Sequence, residues 1–132
     1  MIPTPTVAGL HVCHDAQIDM DRHEITLRKS FRNLETPLHP SYAAPFWAFA
    51  EIYGPLGRCN LQVTISTLDV PQVVYEFRHR IEFNDRLSPV YLNLNMGHCR
   101  FPRLEKYEMM VIVDGDIIAQ RVFVVLAAED ER

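Results

Sequence analysis

The chain has 132 residues, of which 48% are hydrophobic and 23% charged, and its 13 Lys and Arg against 17 Asp and Glu give a formal net charge of −4. A chain of this length can bury roughly two-thirds of its unfolded surface in one core, so it needs neither a metal nor a disulfide to fold. The mild net negative charge and the scattered basic residues argue against electrostatic binding to nucleic acid or anionic lipid. We expect one domain, 1–132, with an ordered core of about 7–126, flexible termini, and no nucleic-acid or membrane partner.

The amino terminus and the cysteines indicate the compartment. Residues 1–6 alternate Pro and Thr and lack the charged and apolar regions of a signal peptide. Cys13, Cys59 and Cys99 cannot all pair within one chain, and no two of them have C-x-x-C spacing, so reduced thiols are expected. No stretch approaches the ~20 apolar residues of a membrane helix. The sequence therefore predicts a cytoplasmic protein.

The first half of the chain gives weaker signals than the second. Residues 7–13 and 25–31 have the composition of strands, whereas 42–53 mixes aromatic β-formers with alanines. Pro45 disfavours a helix across the start of that segment. A clearer strand follows at 59–66, where apolar and polar side chains alternate.

The clearest alternation lies in residues 73–83. A helix would scatter the two interleaved sets around its circumference, whereas a strand keeps them on opposite faces. Residues 90–95 alternate in the same way. The set predicted to face the core is Val73, Tyr75, Phe77, His79, Ile81 and Phe83.

The strongest local signal is the dipeptide Asp114-Gly115 between two apolar runs. Asp-Gly suits a two-residue type I′ turn, whose twist matches that of the strands on either side. Residues 107–113 and 117–126 are therefore predicted to pair as an antiparallel hairpin.

These segments amount to about eight strands without a convincing helix, which predicts an all-β fold: an antiparallel, immunoglobulin-like β-sandwich of seven to nine strands. The loop 101–107 ends in Tyr107 at the start of the penultimate strand. This resembles the tyrosine corner of such sandwiches, in which the ring is buried and its hydroxyl bonds to upstream backbone. The alternative is an ordinary tyrosine at the start of a strand.

Several short motifs occur together in residues 61–126. They are the strand end Leu68-Asp69, the loop that begins Phe101-Pro102 and ends at Tyr107, and the turn Val113-Asp114-Gly115. In this order they resemble an uncharacterised bacterial family of small single-domain β-sandwich proteins. Glu105 stands where that family usually has a glycine. The resemblance implies an immunoglobulin-like sandwich and carries no activity with it.

A metal site is one candidate function. His11, Cys13 and His14 end the first predicted strand, while His98 and Cys99 lie in a later loop. In an immunoglobulin-like topology the two regions open at the same end of the sandwich, and two imidazoles with two thiolates would suit a tetrahedral zinc ion. Their spacing matches no zinc finger or ribbon, and free cysteine is commonly a small core residue. A zinc-binding or metal-sensing protein is therefore the alternative interpretation.

Catalytic signatures do not occur in the sequence. It contains no Ser-centred nucleophile elbow, no Gly-rich phosphate loop and no His-Glu-x-x-His helix motif. We therefore expect a protein that is not an enzyme and that carries no cofactor.

A few strands carry apolar residues on both faces, whereas a strand of a sandwich needs only one apolar face. One face of a sandwich sheet packs on the core, so a second apolar face must be covered. Two-fold self-association is the common cover, and a long loop such as 35–44 is the alternative. The sequence thus predicts a protein-binding or assembly module, most simply a homodimer, whose interface contains Trp47, Phe49, Met110, Ile112, Val122 and Val124.

Overall fold

The computed structural model describes residues 5–22, 24–36, 46–69, 72–85, 87–96 and 99–127. Regular structure within these ranges consists of β-strands alone, which confirms the all-β prediction. The strands are β1 (Thr6–Asp19), β2 (Glu24–Ser30), β3 (Asn33–Thr36), β4 (Trp47–Tyr53), β5 (Gly57–Thr67), β6 (Val73–Phe83), β7 (Val90–Asn95), β8 (Lys106–Val113) and β9 (Asp116–Ala127).

The strands form two sheets. One has four strands in the order β2-β1-β4-β7, and the other has five in the order β3-β9-β8-β5-β6. The short strand β3 runs parallel to β9, and the other ladders of the described chain are antiparallel. Two such sheets packed face to face, with crossover connections between them, make an immunoglobulin-like sandwich. The predicted fold class is confirmed.

The core lies between the two sheets and follows from alternation along each strand. On β4, Ala48 and Ala50 point inward and are fully buried. On β8, Met109 and Val111 face them from the other sheet and are also fully buried. The alanines leave room for large aromatic side chains at one end, including Phe46, whose ring centroid lies 6.1 Å from that of Phe123.

Tyr107 forms the predicted tyrosine corner. Its side chain is fully buried. Its hydroxyl donates a hydrogen bond to the carbonyl oxygen of Arg103 at 2.7 Å and accepts one from the Arg103 N–H at 3.2 Å. These bonds fix the loop that leads into β8.

The predicted hairpin is also confirmed. Val113 and Asp116 are register partners, so the loop contains only Asp114 and Gly115. Their φ angles of 47° and 88° are both positive, as a type I′ turn requires. The turn is held against β5, because Asp114 and Asn60 exchange two hydrogen bonds, one of them from the Asn60 N–H to Asp114 Oδ1 at 2.8 Å.

Two elements differ from the prediction. β1 continues to Asp19 instead of ending near residue 13, because its second half pairs with β2. β3 was not predicted, since its four residues show no alternation and gain their hydrogen bonds only from β9. Most of the loop 35–44, proposed above as an alternative cover, lies outside the described residues.

The two flanks of the sandwich differ. On one flank, Arg121 points inward from β9 and its guanidinium donates to the carbonyl oxygens of Leu10 at 3.4 Å and Phe31 at 3.2 Å. This side chain ties the two sheets together. On the other flank, β6 and β7 end their respective sheets, and no ladder joins them.

Candidate functional site

The predicted metal ligands on β1 lie on different faces of the strand. His11 and Cys13 alternate with the core residues Leu10 and Val12, so they face away from the core. His14 follows Cys13 directly and is exposed. Neighbouring residues on a strand point to opposite faces, which separates His14 from the Cys13 thiol.

Cys99 occupies a different layer of the molecule. Its side chain is 3% exposed and belongs to the core between the sheets. Burial raises the pKa of this thiol from 9.0 to about 12, which keeps it protonated and a poor metal ligand at neutral pH. The structure therefore does not bring Cys99 together with the β1 residues, and His98 lies outside the described residues. Among the residues that are described, no group of three or more His, Cys, Asp or Glu side chains is placed to hold a metal ion.

Trp47 and Phe49 lie on the outer face of the four-stranded sheet. Phe49 is only 3% exposed and its ring stacks on that of Tyr91, with centroids 6.1 Å apart. It belongs to a small second cluster with the buried side chains of Cys13 and Ala16. Trp47 packs against this cluster and is half-buried. Other residues of the same chain thus already cover much of this apolar surface.

The other four predicted interface residues lie on the opposite side of the molecule. They are Met110, Ile112, Val122 and Val124, and all face outward from the five-stranded sheet. The six residues do not form one surface, as the sequence had suggested, but two. Alternation tells which residues share a strand face, yet it does not tell which of two sheets a strand joins.

The outward side of β8 and β9 carries an apolar patch, which we name the β8–β9 face. Polar side chains interrupt it, because register places Gln120 beside Met110 and Glu108 beside Val122. Three of its members are strongly exposed: Ile117 at 53%, Val122 at 44% and Leu126 at 41%. Register places Ile117 beside Ile112, and Leu126 follows Val124 on the same side of β9. The predicted interface did not include Ile117 or Leu126. The face consists of Met110, Ile112, Ile117, Val122, Val124 and Leu126.

Charged side chains of both signs flank the β8–β9 face on the same sheet. Arg58 pairs with Glu82 at 3.9 Å, and Arg78 pairs with Glu76. On β3, β5, β6 and β8, the outward-facing basic residues are equal in number to the outward-facing acidic residues. The basic ones are Arg58, Arg78, Arg80 and Lys106, and the acidic ones are Glu35, Glu76, Glu82 and Glu108.

An open depression of about 510 Å³ lies where this face meets the β8–β9 turn. Gln62, Arg78, Arg80, Ile112 and Gly115 contribute to its lining. Its side chains offer hydrogen bonds, positive charge and a small apolar area. The lining also includes the imidazole of His79, which is a possible base, but no cysteine, serine or carboxylate.

Comparisons with known proteins give structural matches only. No protein-family model and no curated protein sequence matches the chain. An immunoglobulin-like protein from Pseudomonas aeruginosa aligns over 94% of this chain and 98% of its own, with 11% identity and a TM-score of 0.47.

Two enzymes align only through a small part of their length. The chain matches 17% of a GH3 beta-glucosidase from Bifidobacterium adolescentis, with 10% identity, 92% of this chain covered and a TM-score of 0.46. It matches 19% of a beta-D-glucoside glucohydrolase from Trichoderma reesei, with 10% identity, 93% of this chain covered and a TM-score of 0.47.

In the part of the chain that the structure describes, no helix has the length and apolar character needed to cross a bilayer.

Proposed function

We propose that this protein is a non-catalytic assembly module that forms a two-fold dimer through the β8–β9 face. The observation that carries the proposal is the exposure of Ile117, Val122 and Leu126 along β9, which lies in the interior of its sheet. Single exposed apolar residues are ordinary, but a cluster of them on one sheet face marks an interaction surface.

The charges around the face favour a second copy as the partner. In a two-fold dimer the same surface meets itself, so each charge on one copy needs an opposite charge within the same surface. The flanks supply both signs in equal number, for example Lys106 and Glu108 on β8 and Arg80 and Glu82 on β6. A partner recognised by its own net charge would instead favour a surface of one sign.

The size of the face predicts a weak dimer. The whole outer surface of the sheet, five strands about 4.8 Å apart and about seven residues long, covers roughly 550 Å² in projection, and the face is only part of it. A stable interface buries about 800 Å² on each partner. The association is therefore expected to be reversible and to depend on protein concentration.

Sedimentation equilibrium over a range of protein concentrations tests the proposal. We expect the wild-type chain to dimerise as concentration rises, and the double variant Ile112→Lys, Val124→Lys to remain a monomer with an unchanged circular dichroism spectrum. In the dimer, the two lysines introduced on each copy would be buried close to those of the other copy. Like charges in an interface are strongly unfavourable. A second variant, Val122→Lys, replaces a side chain that is already 44% exposed, so its fold should tolerate the change.

The matched control is Leu87→Lys, which makes the same kind of change at a side chain that is 87% exposed. Leu87 lies between β6 and β7 and is not part of the β8–β9 face. This variant should dimerise like the wild type. A wild-type chain that stays monomeric at every concentration would overturn the proposal, as would a Lys double variant that is folded and still dimeric. Metal analysis of the same samples should find no stoichiometric zinc.

A further inference from the structure

The open flank of the sandwich contains a second candidate site. β6 ends the five-stranded sheet and β7 ends the four-stranded sheet, and the two edges lie next to each other without pairing. Between them is a cleft of about 390 Å³, which we name the flank cleft. Its apolar lining comes from Phe77, Ile81, Leu92 and Leu94.

Core-facing side chains of β6 are left uncovered in this cleft. Ile81 and Phe83 are 7% and 3% exposed, as expected for a core strand. Phe77, on the same side of β6, is only half-buried, and His79 is exposed. The rings of Phe77 and His79 stack with centroids 6.1 Å apart. The sequence predicted that this side of β6 would be in the core. The opposite sheet ends at the short strand β7, however, so it does not cover Phe77 and His79 completely.

The edge of β7 supplies hydrogen-bonding groups beside this apolar surface. Within the part of the chain that the structure describes, β7 pairs with β4 and with no other strand, so residues 90–94 have no ladder partner on their other side. Such an edge is a template for another strand. β6 is a poorer template, because Glu76, Arg78, Arg80 and Glu82 charge its outward face. The outward residues of β7 are uncharged.

The charges at the flank cleft favour an acidic group in the ligand. Glu82 lines the cleft but is already paired with Arg58 at 3.9 Å. Arg80 also lines it, and among the described residues it takes part in no ion pair. A carboxylate bound in the cleft would give this guanidinium a partner.

We propose that the flank cleft binds an extended peptide segment of another protein. The segment adds to the edge of β7 as a fifth strand of the four-stranded sheet. Its alternate apolar side chains contact Phe77 and Leu94, and an acidic side chain pairs with Arg80. Strand addition of this kind takes its affinity from main-chain hydrogen bonds and its specificity from the pockets for alternate side chains. The flank cleft contains none of the six residues of the β8–β9 face, although Arg80 lies beside both.

The probe is a capped synthetic octapeptide with leucine or valine at alternate positions, threonine between them and one central aspartate. Amide NMR titration should show saturable binding, with shifts and protection from hydrogen exchange in β7. A second peptide carries N-methyl groups on the residues whose N–H groups would pair with β7. It keeps every side chain but should bind at least tenfold more weakly, because it cannot donate to the strand edge.

Two protein variants test the side-chain contacts. Phe77→Lys should weaken binding of the aspartate peptide at least tenfold. Arg80→Glu should weaken it by a similar factor, while leaving the affinity of the matched asparagine peptide unchanged. The control is Arg28→Glu, which reverses an exposed charge on β2 at the other edge of the same sheet. It should bind like the wild type.

Three results would overturn the proposal: no binding of the aspartate peptide, equal binding of the N-methylated peptide, or shifts confined to β8 and β9. A second copy as the occupant would appear as β7 protection that grows with protein concentration in the absence of peptide, and would also overturn it. The monomeric Val122→Lys variant should bind the peptide as the wild type does, so failure of the dimer proposal leaves this one intact.

Discussion

Tyr107 shows how one buried polar side chain fixes a loop. Its ring packs against Phe101 and Phe123, with centroid distances of 4.8 and 6.2 Å. The hydroxyl at its far end makes two hydrogen bonds with the backbone of Arg103. Burial raises the pKa of this phenol above 10.0, because the low-dielectric surroundings disfavour the phenolate.

Tyr107→Phe should lower the free energy of unfolding by about 1–2 kcal/mol at neutral pH, since two hydrogen bonds are lost and the ring remains. Chemical denaturation measures this. Tyr91→Phe is the matched control, because the Tyr91 hydroxyl makes no hydrogen bond in the described part of the chain, and it should cost less than about 0.5 kcal/mol.

The same pair of proteins should differ in alkaline solution. The raised pKa means that folding favours the neutral phenol, so this contribution is complete below pH 10 and is lost as the pH rises through the folded pKa. Wild-type stability should therefore fall more steeply above pH 10 than that of Tyr107→Phe. Parallel pH profiles for the two proteins would show that Tyr107 is not the buried anchor described here.

At the level of strands, local chemistry predicted some elements well and others not at all. The hairpin of β8 and β9 follows from Asp114-Gly115 and the alternation beside it, all within one short segment. β3 depends on a parallel partner just over ninety residues away, Asn33 against Val124, so no local pattern could reveal it. The second half of β1 likewise depends on β2, and its ladder is interrupted near Lys29, whose φ of 53° is unusual for a strand.

Gly115→Ala should destabilise the protein by about 1 kcal/mol. The φ of Gly115 is 88°, which a residue with a Cβ adopts only with strain, while nothing lies within 4 Å of the position that the Cβ would occupy. The cost is therefore one of backbone conformation alone. Gly115→Asn should cost less, because asparagine tolerates positive φ. Equal stability of the alanine variant and the wild type in denaturant would contradict the type I′ turn.

For the whole molecule, the sequence predicted residues of a surplus apolar surface but not that they lie on two different sheets. Phe49 on one side is covered by residues of its own chain, whereas Val122 on the other side remains 44% exposed. Both have the same alternating signature, so only the assignment of strands to sheets separates them. The predicted convergence of Cys13 and Cys99 was not found for the same reason, since one lies outside the four-stranded sheet and the other between the sheets.

We propose that two copies of the chain meet through the β8–β9 face. The most direct test is an isotope-filtered NOE experiment on a concentrated mixture of ¹³C-labelled and unlabelled chains. We predict intermolecular NOEs to the methyl groups of Ile112, Ile117 and Val122, and none to Leu87. Intermolecular NOEs confined to other surfaces, or none at a concentration where sedimentation shows a dimer, would contradict the claim.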